Sequence, residues 1–256
     1  MVMLSDAGLP DGLRIYAIGD VHGCLDQLEA VARSVRSDLL ARPVDDWRVV
    51  LLGDYIDRGA DSLGVLRWLS GAGHALRLHP LLGNHDAMLL DALASPDPTT
   101  LLNWLVSGGR ATLESCGIGE PEIAAASAEA GRQHLRMRLA EVLGPELHAW
   151  LRKLPLSARF GDYLFVHAGV RPRVALDAQA AEDLLWIRGE FLTSQEDLGA
   201  VVVHGHSPRP EIELRPNRIA IDTGAVFGGR LSCLILEGHS RARLEPDGPV
   251  PLDAAG

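Results

Sequence analysis

The chain predicts an α/β fold built on a parallel sheet with crossover helices. Three observations carry this. Short β-type runs alternate with helical periodicity as far as Leu82, each run ends in Gly followed by Asp or Asn, and 47% of the 256 residues are hydrophobic, enough for one sizeable core.

Residues 1–12 read as a loose tail. Residues 14–18 (RIYAI) form the first strand, ending at Gly19-Asp20. Leu25, Leu28, Ala32, Val35 and Leu39 then recur at helical spacing until ARPVDD breaks the pattern. Residues 47–52 (WRVVLL) give the second strand, closed by Gly53-Asp54. A helix over about 62–69 leads to the strand 76–82 (LRLHPLL), which stops at Gly83-Asn84-His85-Asp86. Ligands of such sheets gather at the carboxyl ends of the strands.

Between 87 and 156 the strand signals vanish. Helical periodicity at Leu135, Leu139, Val142 and Leu143, and again at Leu147, Trp150, Leu151 and Leu154, marks a helical insertion. Strand-like runs resume at 163–166 (YLFV), 200–203 (AVVV), 218–221 (RIAI) and 231–236 (LSCLIL). The first two end in His167 and in His204-Gly205-His206. Residues 246–256 hold Pro, Gly and little to bury, and read as a disordered tail. The whole is expected to be a single domain with its core over about 13–245.

The formal charge of −10 disfavours polynucleotides and anionic membranes as partners. Cys24, Cys116 and Cys233 lack paired spacing, so neither disulfides nor a zinc-thiolate site is expected, and the reducing cytoplasm fits best. No basic stretch followed by an apolar one opens the chain, and no window holds 18 uninterrupted apolar residues. Neither a signal peptide nor a membrane span is expected.

Unpartnered polar groups cost about 2–7 kcal/mol to bury, so Asn84, His85 and Asp86 at the end of an apolar strand need something to bind. Four other strand ends pose the same question: GDVHG (19–23), GDYIDRG (53–59), VHAG (166–169) and HGHS (204–207). Each alone is a common turn. In this order, each after a strand, the five resemble the calcineurin-like metallophosphoesterases, and more closely the bacterial and phage branch of the phosphoprotein phosphatases, over residues 14 to about 236.

The resemblance implies a β-sandwich flanked by helices, with a βαβαβ core and two divalent metal ions, manganese foremost and iron or zinc as alternatives. It gives one ion to Asp20, His22 and Asp54 and the other to Asp54, Asn84, His167 and His206, with Asp54 as the bridge. The residue types suit the task. Paired divalent ions need a shared anion, hard carboxylates, and imidazoles that add no charge. Asp20 and His22, two apart, project to the same side of an extended segment. With Asp20, Asp54 and one hydroxide set against two divalent ions, about one positive charge remains to hold a phosphate, and neutral Asn84 leaves it intact.

The resemblance further makes His85 the general acid, with Asp57 steadying its protonated form, and Arg58 and Arg188 the phosphate-binding arginines. It implies in-line attack by metal-bound hydroxide on phosphoserine or phosphothreonine in phosphoprotein or phosphopeptide substrates, with phosphotyrosine left open. Oligomeric state is not legible.

Asp86 stands where many relatives have Glu and is expected to cap or to support the ligands. His204 is expected to pack at its strand end, Cys24 to start the first helix, and the five Trp to pack. IDTGAVFGG (221–229) replaces the eukaryotic Ser-Ala-Pro-Asn-Tyr segment, so weak sensitivity to natural-product inhibitors of the eukaryotic enzymes is expected. Two other functions stand beside this one. Symmetrical diadenosine tetraphosphate hydrolases share a GDVHGC-like opening but typically lack the Asp corresponding to Asp57. A non-catalytic metal- or phosphoprotein-binding scaffold usually loses ligands, whereas all six positions are filled here.

Overall fold

Successive side chains of a strand point to opposite faces, and apolar runs without alternation mean that both faces are covered. The computed structural model, which describes residues 2–71 and 75–252, shows what covers them. In β1 (Leu13–Ile18) and β2 (Asp46–Leu51), Tyr16, Ile18, Val49 and Leu51 face helices, whereas Ile15, Ala17 and Val50 face a second sheet. In that second sheet, Tyr163, Phe165, Val201 and Val203 face inward, and Leu164, Val166 and Val202 meet a further layer of helix and loop. The result is a sandwich of two mixed sheets with helices outside.

The first sheet runs β11-β10-β9-β1-β2-β3. β1, β2 and β3 (Leu78–Pro80) are parallel, linked by α1 (Leu25–Ala41) and α2 (Ser62–Ser70). β9 (Cys233–Glu237), β10 (Ser240–Glu245) and β11 (Gly248–Pro251) extend it antiparallel. The second sheet runs β4-β5-β6-β8-β7, with β5 (Tyr163–Val166), β6 (Val201–His204) and β8 (Arg218–Ala220) parallel. β4 (Ser157–Phe160) and β7 (Glu213–Arg215) are its antiparallel edges.

The insertion comprises most of α3 (Asn84–Ala94), then α4 (Pro98–Trp104), a bend over 105–109, α5 (Arg110–Ser115), α6 (Glu120–Ala125) and α7 (Glu129–Leu151). Its Trp104, Leu113, Leu135 and Leu147 share one apolar cluster with Tyr16 and Val49 of the sheet. Gly144 (φ 70°) before Pro145 kinks α7, which accounts for the two separate apolar series read from the sequence. Among the described residues no helix is long and apolar enough to cross a membrane. His74, assigned no role from the sequence, lies outside the described residues.

The structure corrects both tails. Residues 1–12 are not loose: Leu4, Ala7 and Leu9 are buried, Leu4 N–H donates to Pro216 O and Leu9 N–H to Gly238 O. The segment 246–256 is not disordered where described. Gly248–Pro251 pairs with β10, and its two prolines take alternate positions on an outer edge strand, where a missing N–H breaks no ladder bond. The expected strand 76–82 shrinks to Leu78–Pro80, an edge position that tolerates proline.

Candidate metal centre

The parallel strands deliver their carboxyl ends to one cavity of about 440 Å³, lined by Asp20, His22, Asp54, Asn84, His85 and His206, among others. β1 brings Asp20 and His22, β2 brings Asp54, β5 brings His167 and β6 brings His206. Asn84 and His85 open α3. Close approach is built in at Gly83, where a Cβ would stand 2.1 Å from the backbone nitrogen of Asp54. Left-handed backbone also concentrates here. Of seven such non-glycine residues among those described, five are His22, Asp54, Asp57, Arg58 and His206. Each costs about 1–3 kcal/mol, a load that clusters at functional sites because the surrounding contacts hold it.

Backbone carbonyls set the tautomers of two ligand candidates. His22 Nδ1–H donates to Ile56 O at 2.7 Å and His167 Nδ1–H to Leu52 O at 2.9 Å, so each Nε2 lone pair turns inward. His22 Nε2 lies 3.4 Å from Asp54 Oδ2, and His167 Nε2 lies 3.4 Å from Asp54 Oδ1. Asp54 thus spans the two groups. On its second side, Asn84 Oδ1 is 2.7 Å from His167 Nε2 and 2.9 Å from His206 Nδ1.

At His22 and His167 these distances bring lone pairs face to face, whereas His206, whose Nε2 accepts from Arg188, turns Nδ1–H to Asn84 Oδ1. Burial depresses His167, and carries His22 down to about 4 and His206 to about 3, so added protons do not occupy them near neutrality. Burial works against the Asp54 carboxylate, but His167, His22 and His85 outweigh it and hold its pKa well below the usual range. Burial, then the charges of Asp222 and Asp54, push Asp20 up. Neutral imidazoles, an amide oxygen and crowded carboxylates converging on two points are a donor set for a pair of divalent cations. The residues present fit a dinuclear site.

Two tight donor groups stand out: His22, Asp54 and His85, and Asp54, His167 and His206. His85 thus takes the place that the sequence gives to Asp20. Asp20 lines the same cavity and accepts from His206 N–H at 3.0 Å, while His85 Nδ1 is engaged 2.6 Å from Asp57 Oδ2. Of the two, Asp20 is the carboxylate, crowded by Asp222 and Asp54 in a way that a cation would relieve. Arg58 bridges His22 Nε2 (2.6 Å) and His85 Nε2 (2.7 Å), and Arg188 donates Nε–H to His206 Nε2 at 3.0 Å. Both guanidinium groups bring positive charge to the cavity.

The calcineurin-like phosphoesterase family model matches residues 13–239, from β1 to the turn after β9. The chain belongs to this family.

Serine/threonine-protein phosphatase 1 of Salmonella typhimurium is 33% identical to this calcineurin-like phosphoesterase over 227 residues, covering 85% of this chain and 89% of the relative. The symmetrical bis(5'-nucleosyl)-tetraphosphatase of Dechloromonas aromatica is 27% identical over 266 aligned positions, covering 87% and 92%. The solved cold-active protein-tyrosine phosphatase of a psychrophilic Shewanella superposes with a TM-score of 0.59 at 16% identity, over 98% of this chain and 84% of that one, a likeness of fold alone.

All ten site residues expected from the sequence border or support this one cavity. Asp86 does both things expected of it. Its buried carboxylate accepts from Gly83 N–H (3.0 Å) at the start of α3 and from Asp54 N–H (2.9 Å) and Tyr55 N–H (3.1 Å) of the facing loop. Asp86→Ala leaves three buried donors without an acceptor, and is expected to cost at least about 3 kcal/mol in denaturant unfolding. A loss below about 1 kcal/mol would show that this carboxylate does not hold the loop. His204 packs, as expected, edge-on against Phe191.

Sequence reasoning missed several residues of this phosphoesterase site. Asp222 follows β8 and lines the cavity, with burial pushing it to about 6. Its signal was present, because RIAI runs into Asp-Thr-Gly just as the other strands run into their ligands. Trp186 and Phe227 stand partly exposed at the mouth, Trp186 edge-on to His206 and Phe227 beneath Arg58. Trp104 and Thr112 reach Asp57 from the insertion, and no spacing pattern announces them.

Proposed function

We propose that this calcineurin-like phosphoesterase is a phosphomonoesterase of phosphoserine and phosphothreonine in proteins or peptides, using two divalent cations, manganese first among them. The observation that carries this reading is the Asp57–His85 pair. His85 Nδ1 lies 2.6 Å from Asp57 Oδ2, and Asp57 is fully buried. A serine or threonine alkoxide is a poor leaving group and needs a proton as the P–O bond breaks, and an imidazolium backed by a carboxylate is built to give one. A nucleotide leaves as a stable anion and needs none.

Bound at the two donor groups, the cations would ease deprotonation of water and draw charge from the phosphoryl oxygens. The chain's own residues do the rest. Arg58 and Arg188 turn from the histidines to the phosphoryl oxygens, where a planar guanidinium matches two acceptors. Release of Arg58 from His85 Nε2 lets that nitrogen carry the proton. Water adds to phosphorus in line and gives up one proton to solvent, the ester oxygen leaves with the proton of His85 Nε2, and His85, left neutral with Nδ1–H on Asp57, takes a proton back from solvent for the next turnover.

The Dechloromonas relative supports a second reading, symmetrical hydrolysis of diadenosine tetraphosphate. One preparation, loaded with manganese and assayed on phosphoserine and phosphothreonine peptides, a phosphotyrosine peptide and diadenosine tetraphosphate, separates the two. The monoesterase reading expects kcat/KM on the first pair to exceed that on the dinucleotide by about tenfold or more, equivalent to about 1.4 kcal/mol of transition-state stabilisation. The opposite ranking would transfer the protein to the second reading.

A further inference from the structure

Asp57 is held where few side chains settle. Its φ is 74°, and Arg58 follows at 67°. Two successive left-handed residues cost about 1–2 kcal/mol each, so contacts from elsewhere must keep them there. Most of those contacts come from the helical insertion, with Ser62 of α2 also accepting from Asp57 N–H at 3.0 Å. Trp104, the last residue of α4, donates Nε1–H to both carboxylate oxygens of Asp57 at 3.1 Å. Thr112 of α5 accepts from Asp57 N–H at 2.9 Å and donates its hydroxyl to Asp57 Oδ1 at 2.6 Å. Gly108 O accepts from Arg58 N–H at 3.2 Å. Gly108 sits at φ 127°, and a Cβ there would stand 2.8 Å from Arg58 Cγ, so the bend comes this close only because it is glycine.

We infer that Trp104 and Thr112 are positioning residues for the proton donor. Thr112 accepts from the Asp57 backbone and gives its one proton to Oδ1 at 2.6 Å, Trp104 pins the plane of the carboxylate by donating to both oxygens, and Oδ2 faces His85 Nδ1 at 2.6 Å. The His85 ring is thereby fixed with Nε2 toward the cavity. The insertion is then part of the acid machinery as well as a wall, while every expected metal ligand comes from a strand end or the start of α3. The inference rests on the reading of His85 as the proton donor.

The test compares Thr112→Val, Thr112→Ser, Trp104→Phe and His85→Asn in the manganese-loaded enzyme on a phosphoserine peptide, phenyl phosphate and para-nitrophenyl phosphate. Thr112→Val keeps the shape of the side chain and removes its hydroxyl. It is expected to lower kcat on the phosphoserine peptide about 10- to 100-fold, to change para-nitrophenyl phosphate turnover less than about 3-fold, and to leave KM unchanged. Thr112→Ser restores the rate, and Trp104→Phe repeats the graded loss. In the metal-free protein, the downfield proton resonance of the His85–Asp57 hydrogen bond is expected in the wild type and Thr112→Ser, and to shift upfield in Thr112→Val.

Equal losses on all three substrates, or an unmoved resonance, would overturn the inference. If His85→Asn shows a graded loss and Thr112→Val does not, positioning alone fails. If His85→Asn shows no dependence on the leaving group, the proton-donor reading fails and takes this inference with it. Should Trp104→Phe not fold, the two Thr112 variants still decide.

Discussion

Asp57→Asn is expected to lower kcat on a phosphoserine peptide by about 10² to 10⁴, the range that general acid catalysis supplies, while turnover of para-nitrophenyl phosphate falls less than about tenfold. The replacement is close to isosteric in a fully buried position, so the fold is not the main casualty. What changes is the partner of His85. An amide oxygen can still accept from Thr112 and Trp104, but its NH2 then faces His85 Nδ1 and can only donate to it. The ring is forced to its other tautomer, and no negative charge remains to stabilise the imidazolium. Nitrophenolate leaves without help, and the alkoxide does not. Steady-state kinetics on the two substrates read the split directly, and equal losses on both would show that Asp57 serves structure or phosphate binding instead.

Asp54→Ala is expected to abolish turnover of every substrate, with a loss of at least about 10³ in kcat, because it removes the one carboxylate that reaches both donor groups. It should also erase stabilisation by metal. A cation that binds only the folded state at one hundred times its dissociation constant adds about 2.7 kcal/mol, which for a chain of this size raises Tm by roughly 5–10 °C. The wild type is expected to show that rise with manganese and to lose it with a chelator. The variant should show none, from a metal-free Tm already lowered because Asp54 Oδ1 also accepts from the buried His85 N–H at 2.9 Å. A variant that keeps both the manganese-dependent rise and its activity would remove Asp54 from the bridging role.

Asp20, His22, Asp54, Asn84, His167 and His206 were legible in two steps. Each follows an apolar run by a few residues, which marks a strand end; a single such end is a common turn, and the five in order became a ligand set through the resemblance. Asp222 obeys the same rule. It went unread because RIAI, unlike the other strands, leads into a segment that had already been given another meaning. His85 and Asp57 were legible only through the resemblance, since 28 positions separate them and nothing local joins them. Trp104 and Thr112 were not legible at all. Their contacts with Asp57 span 47 and 55 positions, and a Trp or Thr on a helix reads as packing until its partner is known.

The ends failed differently. Leu4, Ala7 and Leu9 are too few to show a period, and two prolines disguise the last strand. The helical insertion was read from its period, but not its attachment. Its apolar residues join the main core, and its polar ones reach the candidate acid.

The most direct measurement is anomalous diffraction at the manganese edge from a crystal grown with manganese. Two peaks about 3.5–4 Å apart are expected, with Asp54 between them, His22 on one side, and Asn84, His167 and His206 on the other. A single peak, or none, among these side chains would contradict the account.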